Sequence, residues 1–129
     1  MQKKQQGSYA EKLVRLWLES KRFTYISGNF VRRVGEIDLI MRSPDERTIV
    51  FVEVRYRRTH QFGGAIESVD LRKQKKLRLT ANAWLQKHAD SHTTARIDVI
   101  ALSPRTGQTP GERLWHDHEL IWIKNAVES

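Results

Sequence analysis

The stretch Gly35-Glu36-Ile37-Asp38-Leu39-Ile40-Met41-Arg42-Ser43-Pro44-Asp45-Glu46-Arg47-Thr48-Ile49-Val50-Phe51-Val52-Glu53-Val54-Arg55-Tyr56 reads as two strands and the turn between them. Both ends are rich in β-branched and aromatic residues, and Ser43-Pro44-Asp45-Glu46 has turn chemistry, so Glu36 to Arg42 and Thr48 to Tyr56 are expected to pair antiparallel. Strand side chains alternate between faces. Val50, Val52, Val54 and Tyr56 therefore share one face, which is apolar and belongs to the core, while Phe51, Glu53 and Arg55 share the other. On the earlier strand Ile37, Leu39 and Met41 take the core face, leaving Glu36, Asp38 and Ile40 on the side of Glu53. Adjacent strands lie about 4.8 Å apart, so Asp38 and Glu53 approach closely if the register sets them opposite.

Working outward, Ser8 can cap a helix that runs to about Ser20, with Ala10, Leu13, Val14, Trp17 and Leu18 at helical spacing on one face. Phe23 to Arg33, broken by Ser27-Gly28-Asn29, reads as a further strand. Beyond the quoted stretch, a loop with Phe62-Gly63-Gly64 leads to a second helix from about Ser68 to His88, carrying Leu77, Ala81, Trp84 and Leu85 at helical spacing. Arg96 to Leu102 reads as a strand, Ser103 to Gly111 as a loop, and Leu120-Ile121-Trp122-Ile123 as a last strand. The order αβββαβ(β) predicts an α/β fold with a central mixed sheet flanked by helices. Residues 1–7 are expected to be a flexible basic N-terminus and 8–129 a single domain, which 129 residues can fill with one core.

The chain carries 23 Lys and Arg against 15 Asp and Glu, a net charge of +8, so an anionic polymer is drawn to it, with nucleic acid the leading candidate. No segment approaches membrane-spanning length, and no helix joins a basic face to a bulky apolar one, so no membrane partner is expected. Met1-Gln2-Lys3-Lys4-Gln5-Gln6-Gly7 lacks the apolar core of a signal peptide, which predicts a cytoplasmic location. With no cysteine, disulfides, thiolate metal sites and cysteine nucleophiles are excluded, so any metal is held by oxygen or imidazole.

Two neighbouring carboxylates repel unless a cation lies between them. Mg²⁺ suits such a pair, because it takes one or two carboxylates, keeps waters and accepts phosphate oxygens. Arg55 on the same face could stabilise charge on a phosphate. The same three residues also read as a surface ion-pair cluster on a half-solvated sheet, and spacing alone does not choose. Arg32, Arg33, Arg57, Arg58, Lys73, Lys75, Lys76 and Arg78 flank the proposed site; if about five contact duplex phosphates, log affinity falls with log salt at a slope near −4.5. They read equally as a solvated face. His116-Asp117-His118 could offer two imidazoles to a transition metal, but a polar turn is the plainer reading. Asp98 could support the metal site or simply accept structural hydrogen bonds. Trp17 and Trp84 fall on core faces; Trp115 and Trp122 are left open.

Taken together, Gly35-Glu36-Ile37-Asp38-Leu39-Ile40, Phe51-Val52-Glu53-Val54-Arg55-Tyr56-Arg57, Phe62-Gly63-Gly64, Ser68-Val69, Lys73-Gln74, Arg96-Ile97-Asp98-Val99 and Ile121-Trp122-Ile123-Lys124-Asn125-Ala126 resemble the bacterial YraN-like family. That family is similar to the restriction-endonuclease-like fold with its PD-(D/E)xK site and to Holliday-junction resolvases. The resemblance implies that Asp38, Glu53 and Arg55 are catalytic, and that Glu11, Asp38, Glu53 and the Val54 carbonyl hold Mg²⁺ or Mn²⁺. Arg33, Arg57, Arg58, Lys73, Lys75 and Lys76 would then bind nucleic acid. Arg55 stands where the superfamily has Lys, and arginine stays protonated and cannot act as a base. The expectation is a metal-dependent endonuclease acting on DNA, branched or structured DNA included, and a homodimer where two symmetric cuts are needed. The alternatives are a nucleic-acid-binding module of the same fold without turnover and a basic protein-interaction domain.

Overall fold

The computed structural model describes residues 3–57, 69–105 and 115–127. Helix α1 spans Lys3–Ser20. It starts five residues before the cap expected at Ser8, because Lys3-Lys4-Gln5-Gln6 are straight-chain helix formers that extend it. Ala10, Leu13, Val14 and Leu18 are buried along its apolar face. Each buried leucine there contributes about 1.5 to 3 kcal/mol. The chain leaves α1 through Arg22 in the left-handed region, φ 70°, with the amides of Lys21 and Phe23 donating to the Leu18 carbonyl.

Strands β1 (Thr24–Arg32), β2 (Gly35–Arg42) and β3 (Thr48–Tyr56) form an antiparallel meander. Ser27-Gly28-Asn29 does not break β1, contrary to expectation. A register shift between Tyr25 and Ser27 absorbs the irregularity, and Asn29 adopts φ 51°, which asparagine tolerates better than most residues. The β2–β3 turn is held by Ser43 and Asp45, whose side chains bond each other and the amides of Thr48 and Arg47. Helix α2 (Leu71–His88) begins three residues later than expected, at a point fixed by Asp70, which accepts a hydrogen bond from the Lys73 amide at 2.8 Å. Strand β4 (Thr94–Pro104) pairs parallel with β3, and β5 (His118–Val127), preceded by a 3-10 turn at Trp115–Asp117, pairs antiparallel with β4. The sheet order is β1-β2-β3-β4-β5, a mixed five-stranded sheet. Arg58, Phe62-Gly63-Gly64, Ser68 and residues 106–114 of the last loop lie outside the described residues.

The two helices cover opposite faces. Val14 and Leu18 of α1 pack with Leu39, Met41, Val50, Val52 and Ile100, while Leu77, Ala81 and Trp84 of α2 pack with Ile40, Ile49, Phe51, Ile97 and Val99. The half-solvated sheet face read as one alternative for Asp38, Glu53 and Arg55 holds for Asp38 and Arg55, which are half-buried, and not for Glu53. Phe51 is 1% and Glu53 4% exposed, because α2 lies over them. Ile37 also departs from expectation and joins the cluster under α2 instead of siding with Leu39 and Met41. The β2–β3 ladder ends at Leu39↔Val52, and where that pairing stops strict alternation no longer fixes which face a residue takes. No helix among the described residues is long and apolar enough to cross a membrane.

Candidate active site

Where the β2–β3 ladder stops, the next step of its register would face Asp38 with Glu53. The Asp38 carboxylate takes the place of a ladder bond, its Oδ2 accepting the Val54 amide at 2.8 Å. Asp38 and Glu53 also share a side-chain hydrogen bond. From the other side Arg55 Nη2 reaches Glu53 Oε2 at 2.9 Å, and Lys73 Nζ, from the first turn of α2, reaches the same oxygen at 3.4 Å. Glu11 comes in from α1 and hydrogen-bonds with both Asp38 and Asn29. These elements enclose a pocket of about 230 Å³ lined by Ala10, Glu11, Glu36, Asp38, Glu53, Val54, Arg55, Tyr56 and Lys73.

The electrostatics follow from burial. Glu53 is pushed up to about 7, first by desolvation, then by the charge of Asp38 and the hydrogen bond to it, against the lesser pull of Arg55 and Lys73. Burial likewise raises Asp38 and, less enclosed, Glu11. Below about pH 7 Glu53 therefore favours its protonated form, and a divalent ion bound there would compete with that proton. A group whose folded value is raised stabilises the fold fully below its unfolded value, and that stability is lost as pH rises through the folded value. The metal-free protein should lose about 3 kcal/mol between pH 4.5 and pH 8 from Glu53 alone. Denaturant melts across that range should show the loss in wild type and its absence in Glu53→Gln.

The donor chemistry fits a hard divalent ion. Among the described residues no three His, Cys, Asp or Glu side chains form a ready-made cage. Mg²⁺ asks for less than such a cage, since it binds through one or two carboxylates and completes its shell with water and phosphate. Arg55 Nε is buried without a hydrogen-bond partner at the same pocket, a donor that a phosphate oxygen would satisfy.

The structure thus brings together Glu11, Asp38, Glu53, Val54 and Arg55. It adds Lys73, expected only as a backbone-tracking cation, and Glu36, Tyr56 and Asn29, which the strand pattern had not marked as site residues. Asn29 belongs to the triplet read as a strand break, so its irregular backbone was the available signal. Tyr56 is half-buried, packs against the core cluster of Ala10, Leu13 and Leu102 as its strand face predicts, and also borders the pocket. Arg32, Arg33, Lys75 and Lys76 are exposed outside the pocket lining. Arg57 is half-buried, its amide bonded to the Leu102 carbonyl, and Arg78 borders a smaller cleft between α2, β4 and β5.

Two other expectations resolve away from the site. His118 is buried with its ring against Tyr9 and Tyr56, a core position at the start of β5, just after the turn at Trp115–Asp117. Asp98 is fully buried on β4 and accepts from Arg96 Nε, Trp122 Nε1 and the Asn125 amide, a structural role. Trp122 itself packs edge-on against Trp17 and Phe23.

The sequence profile described as uncharacterised protein family UPF0102 matches residues 10–102. The UPF0102 protein YraN of Escherichia coli (strain SMS-3-5 / SECEC) is 46% identical over 125 residues, covering 95% of this chain and 84% of its own length. A UPF0102 protein of Aliivibrio fischeri (strain MJ11) is 41% identical over 133 residues and covers 98% of both chains. A third, from Enterobacter sp. (strain 638), is 43% identical over 128 residues, covering 98% of this chain and 86% of its own.

Proposed function

The chain belongs to the UPF0102 family, and we propose that it is a divalent-metal-dependent nuclease hydrolysing phosphodiester bonds of DNA on a restriction-endonuclease-like fold. The observation that carries this reading is the hydrogen-bonded pair of half-buried Asp38 and buried Glu53, with Arg55 and Lys73 against Glu53 in one pocket. The helix, meander, helix, strand order with a mixed sheet supports the fold assignment.

In this reading Asp38, Glu53, Glu11 and the Val54 carbonyl would hold Mg²⁺ or Mn²⁺. The ion when bound polarises the scissile phosphate and lowers the pKa of a water on it. The chain's own contribution is positioning. Arg55 fixes Glu53 at 2.9 Å while its buried Nε stays available to a phosphate oxygen, and Lys73 adds a second positive charge against the same carboxylate. Asn29 keeps Glu11 turned toward Asp38. DNA is the favoured partner because the net charge of +8 attracts a polyanion, and a homodimer would supply the two sites that paired cuts require.

Purified protein incubated with junction, flap, single-stranded and duplex DNA in Mg²⁺ or Mn²⁺ tests this directly. Metal-dependent cutting supports the nuclease. Binding without cutting selects the second reading, a nucleic-acid-binding module of the same fold, which the arginine at position 55 favours. A basic protein-interaction domain would show no salt-dependent affinity for any of these DNAs.

Arg55→Lys separates the two roles a basic residue can have here. If position 55 only orients and stabilises, cleavage by the variant stays within about threefold of wild type, since the charge is kept and only the planar fork is lost. A rise well beyond that would show that the wild-type site is limited by its arginine.

A further inference from the structure

The β1–β2 hairpin ends in a two-residue loop, Arg33-Val34, between the paired residues Arg32 and Gly35. Turns are normally built from Gly, Asn, Asp, Pro or Ser, and a β-branched residue at such a tip gains the fold nothing. Val34 is nonetheless 41% exposed and Val31, on the same tip, 58%. Such a departure from local turn chemistry points to use by a ligand.

The tip is also fixed in place. A Cβ on Gly35 would lie 2.9 Å from Thr80 Oγ1 and 3.3 Å from Lys76 Cβ, so the hairpin rests directly on α2. Arg32 folds back over the Phe30 ring at 4.2 Å and donates to the Val31 carbonyl at 2.8 Å. Arg33, Arg72, Lys75 and Lys76 are exposed on the hairpin and the first turns of α2. Val31 is the cross-strand partner of Glu36, which lines the acidic pocket, so one strand pair links the aliphatic tip to that pocket's wall.

We propose that the Val31–Val34 hairpin tip is a wedge that holds unstacked bases beside the acidic pocket, which makes DNA with a branch or an unpaired junction the preferred substrate. The proposal rests on the nuclease-site reading above and names its substrate class. The arginines and lysines around the tip hold the backbone without regard to sequence, and the two valines replace the stacking lost at a distorted step. A continuous duplex pays the unstacking cost in full, whereas a branch point has already lost that stacking.

The test uses a flap and a linear duplex carrying 2-aminopurine at the corresponding position, with EDTA present so that no metal-dependent cutting occurs. The expected result is that wild-type protein raises the flap fluorescence. Val31→Ser/Val34→Ser is expected to bind both DNAs with an unchanged salt slope, to give no rise, and to lose about tenfold of the preference for flap over duplex. Both substitutions are at exposed positions, and an unchanged thermal melt checks the fold. Wild-type binding without a fluorescence rise, or a rise kept in the double variant, overturns the wedge and leaves the nuclease reading standing. Absence of any DNA binding by wild type removes both.

Discussion

Glu53→Gln is expected to slow metal-dependent DNA hydrolysis by at least about 100-fold, a loss larger than that from removing a residue that only supports a metal ligand. The same change should leave the fold as stable as wild type at pH 5 and more stable at pH 8 in EDTA. Two effects compete. The amide gives up its charge pairing with Arg55 and Lys73, but it no longer has to ionise in a buried place beside Asp38. Burial and Asp38 outweigh the two cations in setting the Glu53 pKa, so the second effect wins at high pH. A carboxylate that weakens its own fold is retained for what it does, and the exchange of stability for activity is common at functional sites. Steady-state cleavage with parallel denaturant melts reads both quantities. A variant that cuts as wild type does would remove Glu53 from the chemistry.

Asp98→Ala is expected to produce the largest loss of stability, about 3 to 5 kcal/mol, equivalent to roughly 10 to 20 °C in Tm. The Asp98 carboxylate is fully buried and accepts at 3.1 Å from Arg96 Nε, at 2.9 Å from Trp122 Nε1 and at 2.8 Å from the Asn125 amide. Alanine leaves those donors facing a cavity. The Asn125 contact matters most for the fold, because Asn125 adopts φ 52° where the β4–β5 register shifts between Ile97 and Val99. The carboxylate holds that irregularity and lets β5 close the sheet. Asp98→Asn should recover part of the loss, since one oxygen still accepts while the amide NH₂ meets a donor. A change under about 1 kcal/mol for Asp98→Ala would sink this assignment.

The alternation of Val50 to Tyr56 and the turn chemistry of Ser43 to Glu46 made the meander legible, and with it the approach of Asp38 to Glu53. Alternation could not say that both faces are covered. Whether Phe51 and Glu53 meet water depends on where α2 docks, and no local pattern encodes that. Lys73 was expected only as a phosphate-tracking cation for the same reason: on its own helix it is one of several cations, and only the packing of α2 on the sheet brings it to Glu53. Glu11 was reached through the family resemblance. Asn29 was hidden inside what looked like a strand break, because a left-handed asparagine and a turn share one sequence signature. That His118 packs against Tyr9 and Tyr56 is a contact that spacing along a strand cannot reveal.

The central claim is that Asp38 and Glu53 form a divalent-cation site closed by a shared proton until the ion arrives. Calorimetric titration of Mn²⁺ into the protein at pH 6, repeated in two buffers of different ionisation enthalpy, measures the ion and the displaced proton together. The account predicts one tight ion per chain with close to one proton released, tighter binding at pH 8 with little release, and loss of both in Asp38→Asn. A chain that binds no Mn²⁺, or binds it equally well after Asp38→Asn, would contradict it.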